Sequence, residues 1–270
     1  MQLHIRHETI YRYGEPVKRS VQTLRLTPRS DPVQRVLSWN IAAPGRQSAQ
    51  IDAYGNVVHL MTLDEPHREI RINVTGVVET QDEGCIVPQE GRLSPLAYLA
   101  PTALTRADEA IIAFVQQRNP NKDRQDPRSA LTKFAAEVRD VVTYEQGATD
   151  VHDSAVNAFA RGRGVCQDQA HVFIACCRTA GIPARYVSGY VYTGKDGDIA
   201  SHAWVDAWLG REQCWLSIDV TQGTPTGVQH CRLAVGRDYL DACPVRGVRR
   251  GGGSEQMEVV VRVAASSQQQ

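Results

Sequence analysis

Residues 164–219 contain the pattern that most restricts how this chain can fold. An apolar helix is predicted from about Cys166 to Ala180, where Gly181 and Pro183 follow in the order that ends a helix. Three strands are predicted after it, at Arg185–Tyr192, His202–Leu209 and Trp215–Asp219. The segment therefore brings a cysteine to the first turn of a helix, with a histidine and an aspartate on the strands that follow.

Cys166 directly follows Gly164-Val165 at the predicted start of this helix. The unpaired backbone N–H groups of a first helical turn, and the positive end of the helix dipole, favour the thiolate. His202 begins a strand after a Gly/Asp loop and is predicted to be the base that takes the thiol proton. A lone cysteine is more often a buried core residue. Here the helix start and the later histidine favour a nucleophile, so a cysteine-nucleophile enzyme is predicted.

Three aspartates are candidates for the group that orients the histidine. Asp206 lies four residues along the strand from His202, about 13 Å at ~3.3 Å per residue, which is too far for contact. Asp168 lies in the first helical turn, where a carboxylate supports the dipole, so a structural or site-shaping role is predicted. Asp219 ends its strand, and a paired neighbouring strand would place it beside His202. Asp219 is therefore predicted to accept the imidazole N–H.

Acyl transfer also requires hydrogen-bond donors for a developing oxyanion. The backbone N–H of Cys166 is one candidate donor. Tyr144, Gln167 and Trp204 are candidate side-chain donors, and the sequence does not choose among them. Tyr144 is equally well explained as an aromatic packing residue.

The chain has 270 residues, which allows two domains. Short strands separated by turn signals, such as Tyr13-Gly14, are predicted over residues 1–80 and are typical of a small sandwich or barrel. Helical patterns begin at about residue 105. The predicted division is an N-terminal β-rich domain over 1–85, a linker over 86–104, a catalytic core over 105–263 and a disordered tail over 264–270.

Charge and cysteine content exclude several function classes. Lysine plus arginine and aspartate plus glutamate both number 30, which argues against nucleic acid as a main partner. No stretch approaches the ~18 apolar residues of a spanning helix, and no signal peptide is recognised, so no membrane association is expected. The seven cysteines show neither an even disulfide framework nor CxxC spacing, which favours free thiols, a reducing cytoplasm and no metal site.

The motifs around these residues carry a resemblance to a known family. They are Gly164-Val165-Cys166-Gln167-Asp168, the segment 181–190, and Ser201-His202-Ala203-Trp204-Val205-Asp206. With Asp219 they resemble the bacterial transglutaminase-like cysteine-hydrolase family. Tyr11-Arg12-Tyr13 and Asp52-Ala53-Tyr54-Gly55-Asn56 resemble the β-rich domain that these bacterial proteins carry before the core.

The resemblance implies an α+β fold: a papain-like core, with the cysteine-bearing helix packed on an antiparallel sheet, preceded by a small β-sandwich domain. It also implies a Cys166–His202–Asp219 triad and no cofactor. The third motif departs from the family pattern. It reads Asp219-Val220-Thr221-Gln222 where the family usually has Asp-Pro-Thr-Asn, so the acid is retained while the proline and the asparagine are not.

Three functions follow from these residues. The first is hydrolysis of an amide bond in a peptide or protein substrate through a thioester acyl-enzyme. The second is a transglutaminase reaction, in which an amine replaces water as the acceptor. The third is a non-catalytic peptide-binding scaffold. The presence of all three triad residues favours an enzyme, and hydrolysis is the preferred prediction. The sequence gives no prediction of oligomeric state.

Overall fold

The computed structural model describes residues 1–82, 85–86, 93–120, 125–147, 153–194, 198–199 and 201–266. The strands are β1 (Gln2–Thr27), β2 (Gln34–Ala42), β3 (Arg46–Ile51), β4 (Val57–Leu63), β5 (His67–Thr80), β6 (Thr143–Tyr144), β7 (Arg163–Gly164), β8 (Ala184–Val191), β9 (Asp198–Ile199), β10 (His202–Leu209), β11 (Cys214–Asp219), β12 (Thr224–Pro225), β13 (His230–Gly236), β14 (Val245–Gly251) and β15 (Glu255–Ser266). The helices are α1 (Glu109–Arg118), α2 (Pro127–Val141), α3 (Ala155–Arg161), α4 (Cys166–Thr179) and α5 (Tyr239–Ala242), with a short 3₁₀ turn at Pro95–Tyr98.

Strand β1 is the centre of an eight-stranded antiparallel sheet. Its first half pairs with β5 and β15, and its second half pairs with β4 and β14. The turn predicted at Tyr13-Gly14 is wrong, because the strand continues there and only its partners change. Gly14 allows the strand to lie close to Ser254, since a Cβ at position 14 would be 2.6 Å from Ser254 Oγ. The result is one curled sheet in which all these strands are connected through β1.

The C-terminal strands return to this N-terminal sheet. β15 pairs with β1 from Gln2↔Ser266 to Tyr13↔Glu255, and it buries Val261 and Val263. The sequence placed residues up to 263 in the catalytic core and a disordered tail after them. The strand instead continues to Ser266, because alternate residues of β15 complete the apolar face formed by β1. The rest of the predicted tail, residues 267–270, lies outside the described residues.

The second sheet has the order β12-β11-β10-β8-β13, and all its pairs are antiparallel. Ala203, Val205 and Ala207 alternate along β10 and pack in one cluster with the buried residues of α4. The intervening residues of β10 point to the opposite face. The predicted α+β class is confirmed: a buried helix packs on an antiparallel sheet, and a curled β-sheet precedes it.

Side-chain amides connect the N-terminal sheet to β13. Asn56 accepts a hydrogen bond from Val235 N at 2.8 Å and donates to Val235 O at 2.8 Å. Gln34 makes the same pair of bonds to Arg232, at 2.8 Å and 2.9 Å. Each amide thus satisfies two backbone groups that a neighbouring strand would otherwise pair. The N-terminal sheet therefore braces the outer strand of the core.

The structure contains a disulfide between Cys85 and Cys214, which are 129 residues apart in sequence. Next to it, Ile86 and Trp215 exchange two backbone hydrogen bonds, so this part of the predicted linker lies along the edge of β11. The expectation of seven free cysteines is wrong, because a bond between such distant positions leaves no spacing pattern. The cysteine argument for a cytoplasmic location loses its basis. Within the described residues, no helix is long and apolar enough to cross a membrane.

The disulfide generates a stability prediction. Opening a loop of this size should lower the free energy of unfolding by about 3–5 kcal/mol, because the unfolded chain gains conformational freedom. We expect Cys214→Ala to lower the melting temperature by about 10 °C in calorimetry under oxidising conditions. Cys85→Ala and the double variant should melt at the same temperature as Cys214→Ala, and dithiothreitol should affect only the wild type. Additive losses in the double variant would contradict the bond.

Candidate active site

The start of α4 is shaped by a reciprocal contact between its flanking residues. Val165 is extended (φ −97°, ψ −179°), and its N–H donates to Asp168 Oδ2 at 2.8 Å. In return, Asp168 N donates to Val165 O at 3.0 Å. Gly164 is required for this fold-back, because a Cβ there would lie 2.6 Å from the Asp168 carboxylate. Because the buried Asp168 carboxylate accepts from the Val165 N–H, it caps the helix that presents Cys166.

His202 connects the thiol to the carboxylate. Its Nε2–H donates to Asp219 Oδ2 at 2.8 Å, and the ring is also hydrogen-bonded to Cys166, which leaves Nδ1 as the nitrogen that faces the sulfur. Burial of the imidazole lowers the pKa of His202, but the bonds to Asp219 and Cys166 outweigh burial and raise this pKa to about 10. The imidazole is therefore charged at neutral pH when it faces a thiolate.

Asp219 is fully buried at the end of β11, and both of its carboxylate oxygens accept hydrogen bonds. Oδ2 accepts from His202 and also from His230 Nε2 at 3.0 Å, while Oδ1 accepts from Gln222 N at 3.1 Å. Burial alone would raise the pKa of Asp219, but the two imidazole donors hold it well below its usual range. The structure thus brings the three predicted residues together, with the carboxylate ionised.

The turn after Asp219 lacks the proline of the family pattern but is fixed by other contacts. Val220 is buried in the core cluster. Thr221 Oγ1 donates to Gln169 Oε1 on α4 at 2.7 Å, and Gly223 N donates to Asp219 O at 2.8 Å. Gly223 has φ of +70°, a conformation that favours glycine. These contacts hold the turn at the end of β11.

The three candidate side-chain donors for the oxyanion lie in different environments. Tyr144 is 53% exposed, and its strand pairs with β7 so that Tyr144 lies opposite Gly164, just before the thiol. Burial and the nearby Cys166 raise the pKa of Tyr144. Gln167 and Trp204 are buried, and Trp204 packs under His202 with ring centroids 6.3 Å apart. Of the candidate side-chain donors, Tyr144 is the exposed one beside the sulfur.

His230 is a residue of the site that no sequence motif indicates. It begins β13, is 7% exposed, and donates to the same carboxylate oxygen as His202. Its Nδ1 accepts a hydrogen bond from Gly227 N at 3.2 Å. The sequence signal is weak, because the pairing of β13 with β8 is what brings His230 to Asp219.

The ligand atoms of His202, Asp219 and His230 lie within 4.8 Å of one another, a spacing that resembles a metal site. A metal ligand must offer a lone pair, and a neutral imidazole has only one. His230 directs its lone pair from Nδ1 toward the Gly227 N–H, so its Nε2 carries hydrogen. This cluster is therefore a hydrogen-bonded group rather than a fit for a metal ion.

Asp206, rejected as a triad member from its spacing, belongs to a separate buried charge cluster. Its carboxylate accepts from Arg232 at 2.6 Å and 3.0 Å, from Arg185 Nε at 2.8 Å and from Ser217 Oγ at 2.6 Å. These bonds hold the pKa of Asp206 well below its usual range despite burial. The cluster joins β8, β10, β11 and β13, and its role is structural.

Comparison with known proteins identifies the family to which this fold belongs. Residues 3–79 match the bacterial transglutaminase-like N-terminal region, and residues 116–220 match the transglutaminase-like superfamily. The uncharacterized protein ML0607 of Mycobacterium leprae is 33% identical over 280 residues, covering 97% of this chain and 98% of the relative. The chain belongs to the transglutaminase-like superfamily.

Two further similarities extend over most of this transglutaminase-like chain. The uncharacterized protein Rv2569c of Mycobacterium tuberculosis is 30% identical, covering 90% of this chain and 86% of the relative. A crystal structure of a "putative cysteine protease" from Cytophaga hutchinsonii superposes with a TM-score of 0.77 at 21% identity, covering 100% of this chain and 92% of that one. At this identity the match shows a shared fold.

The thiol environments of this transglutaminase-like protein predict selective alkylation. Cys166 is partly exposed, whereas Cys176, Cys177, Cys231 and Cys243 are buried, and burial raises the pKa of each of these four. We expect iodoacetamide at pH 7 to label Cys166 at least about tenfold faster than any other thiol, as followed by peptide mass spectrometry. Faster labelling of another cysteine would remove Cys166 as the reactive thiol.

The same assay tests the contribution of the histidine. His202→Gln should slow the labelling of Cys166, because the imidazole no longer accepts the thiol proton. His4→Gln is the matched control, since the His4 side chain is hydrogen-bonded to Ser266 within the N-terminal sheet. Equal labelling rates in both variants would contradict the proton transfer.

Proposed function

We propose that this protein is a cysteine hydrolase that cleaves amide bonds in peptide or protein substrates through a thioester intermediate. The observation that carries the proposal is the position of His202, which contacts Cys166 at a helix start and donates to the buried Asp219 at 2.8 Å. A thiol, a base and a group that orients the base are the components that nucleophilic catalysis requires.

In the acylation step, His202 Nδ1 takes the proton of Cys166, and the resulting thiolate attacks the carbonyl carbon of the amide. The negative charge that develops on the carbonyl oxygen faces the backbone N–H of Cys166, a group that the first helical turn leaves without an intrahelical acceptor. We assign Tyr144 as the second donor, because its exposed side chain borders the thiol. The imidazolium then gives its Nδ1 proton to the amine nitrogen, the C–N bond breaks, and a thioester remains.

In the deacylation step, neutral His202 takes a proton from water, and the hydroxide attacks the thioester carbonyl. Collapse of this intermediate breaks the C–S bond and releases a carboxylic acid and the Cys166 thiolate. The imidazolium of His202 can then return its proton to the sulfur, which restores the starting state. Throughout both steps Asp219 stays ionised and stabilises the charged imidazole. Water as the acceptor is supported by the partial exposure of Cys166 and the exposure of its neighbour Tyr144, which leave the thiol side open to solvent.

The nucleophile assignment is tested by turnover of a library of peptidyl and simple amide substrates with chromogenic amine leaving groups. Cys166→Ala should lose at least about 10³-fold in kcat with only a small change in melting temperature, because the thiol is the nucleophile and is only partly buried at the edge of the core. Cys243→Ala is the matched control at a buried thiol and should retain turnover. Full activity in Cys166→Ala would refute the mechanism, and binding of peptides without turnover by the wild type would favour a scaffold.

The acceptor is tested by partition of the acyl-enzyme. With a substrate turned over by the wild type, we expect the carboxylic acid to remain the main product when a primary amine such as glycine amide is added at about 10 mM. Mass spectrometry of the products measures the ratio of acid to conjugate. A product mixture dominated by the amine conjugate would show that the protein is an acyltransferase, with the same catalytic residues.

A further inference from the structure

We propose that His230 is a positioning residue that sets the strength of the Asp219–His202 interaction; this inference rests on the proposed function. His230 Nε2 lies 3.0 Å from Asp219 Oδ2, the oxygen that also accepts from His202. His230 does not contact the thiol side of His202, because the two ring centroids are 6.2 Å apart and the carboxylate lies between the two Nε2 atoms. It therefore acts on the reaction through Asp219.

The hydrogen-bond partners of His230 determine its tautomer. Gly227 N–H points at Nδ1 from 3.2 Å, so Nδ1 must be an acceptor and the hydrogen of the neutral ring must be on Nε2. This tautomer donates to Asp219 without carrying a charge. The backbone turn at Gly227 thus makes His230 a fixed donor for the carboxylate.

A second donor on one carboxylate oxygen weakens the hydrogen bond that the oxygen makes with the first donor. Oδ2 shares its electron density between two N–H groups, so each bond is weaker than it would be alone, and the carboxylate is a weaker base. A weaker base raises the pKa of His202 less, and the imidazolium then gives up its proton to the leaving amine more easily. Orientation alone does not require His230, since Gln222 N also binds this carboxylate, through Oδ1.

The ring of His230 is fixed by its surroundings as well as by its hydrogen bonds. The ring of Trp204 meets it edge-to-face, with centroids 5.3 Å apart at 75°. Gly189 makes room for this indole, because a Cβ there would lie 2.4 Å from its ring. Among the described residues, the charged and titratable groups near His230 are Asp219 on β11, His202 on β10, Arg232 on β13 and Asp82, which lines the same small cavity of about 30 Å³. Arg232 binds Asp206, so the carboxylate that faces His230 directly is that of Asp219.

The test compares His230→Gln with His230→Phe. Glutamine can donate its amide N–H to Asp219, whereas phenylalanine fills the space without a donor. We expect the alkaline limb of the pH profile of kcat/KM to move upward by about one pH unit in His230→Phe and to stay within about 0.3 units in His230→Gln. At pH 7 the Phe variant should lose about tenfold in kcat with little change in KM, because proton donation to the amine becomes harder. His4→Gln serves as the control and should match the wild type.

Nuclear magnetic resonance with histidine-labelled protein gives a readout that needs no substrate. In the wild type, the ring nitrogens of His230 should show the Nε2–H tautomer, and the titration midpoint of His202 should rise in His230→Phe but not in His230→Gln. An Nδ1–H tautomer, an unchanged His202 midpoint in His230→Phe, or equal effects of both variants would overturn the role of His230. If no substrate is turned over through Cys166, the proposed function fails, while these titrations still decide whether His230 acts on the pair.

Discussion

A single buried carboxylate oxygen, Asp219 Oδ2, is the point on which the geometry of the site depends. It accepts from two imidazoles that come from different strands, and the other oxygen of the same group accepts from the turn that follows. A buried carboxylate without such donors would be costly or would take up a proton. Because its donors come from β10, β13 and the turn after β11, the ionised carboxylate is fully stabilised only when these three parts of the core are assembled.

The N-terminal sheet contributes to this assembly through side chains that contact the core strands. Its amides at Gln34 and Asn56 satisfy backbone groups of β13, the strand that begins at His230. A third link is the buried contact between His7 Nδ1 and the hydroxyl of Tyr190 on β8, at 2.7 Å. These bonds are directional and buried, so they fix the position of the strand rather than merely covering it. The curled sheet is therefore a brace for the side of the site opposite the helix.

Local patterns in the sequence were sufficient to predict the parts of this protein that local interactions determine. The helix that starts at Cys166 begins and ends close to the predicted residues. Its start is marked by a nearby glycine and a capping aspartate, and its end is followed directly by Gly-Ile-Pro, so both signals are local in sequence. Pairing of neighbouring strands likewise brought Asp219 to His202. Contacts between distant segments left no such signal: the disulfide of Cys85 with Cys214, the place of β15 beside β1, and the second histidine on Asp219 all depend on which strands meet.

The pairing of the first strand with the last one has a consequence for biosynthesis. Residues 2–13 lie between β5 and β15, so they lack one neighbour until residues 255–266 have left the ribosome. An exposed strand edge of this length is open to pairing with other chains. During translation the brace for β13 thus remains incomplete until residues 255–266 have been synthesised, and separate expression of β1 and β15 would divide a sheet that requires both.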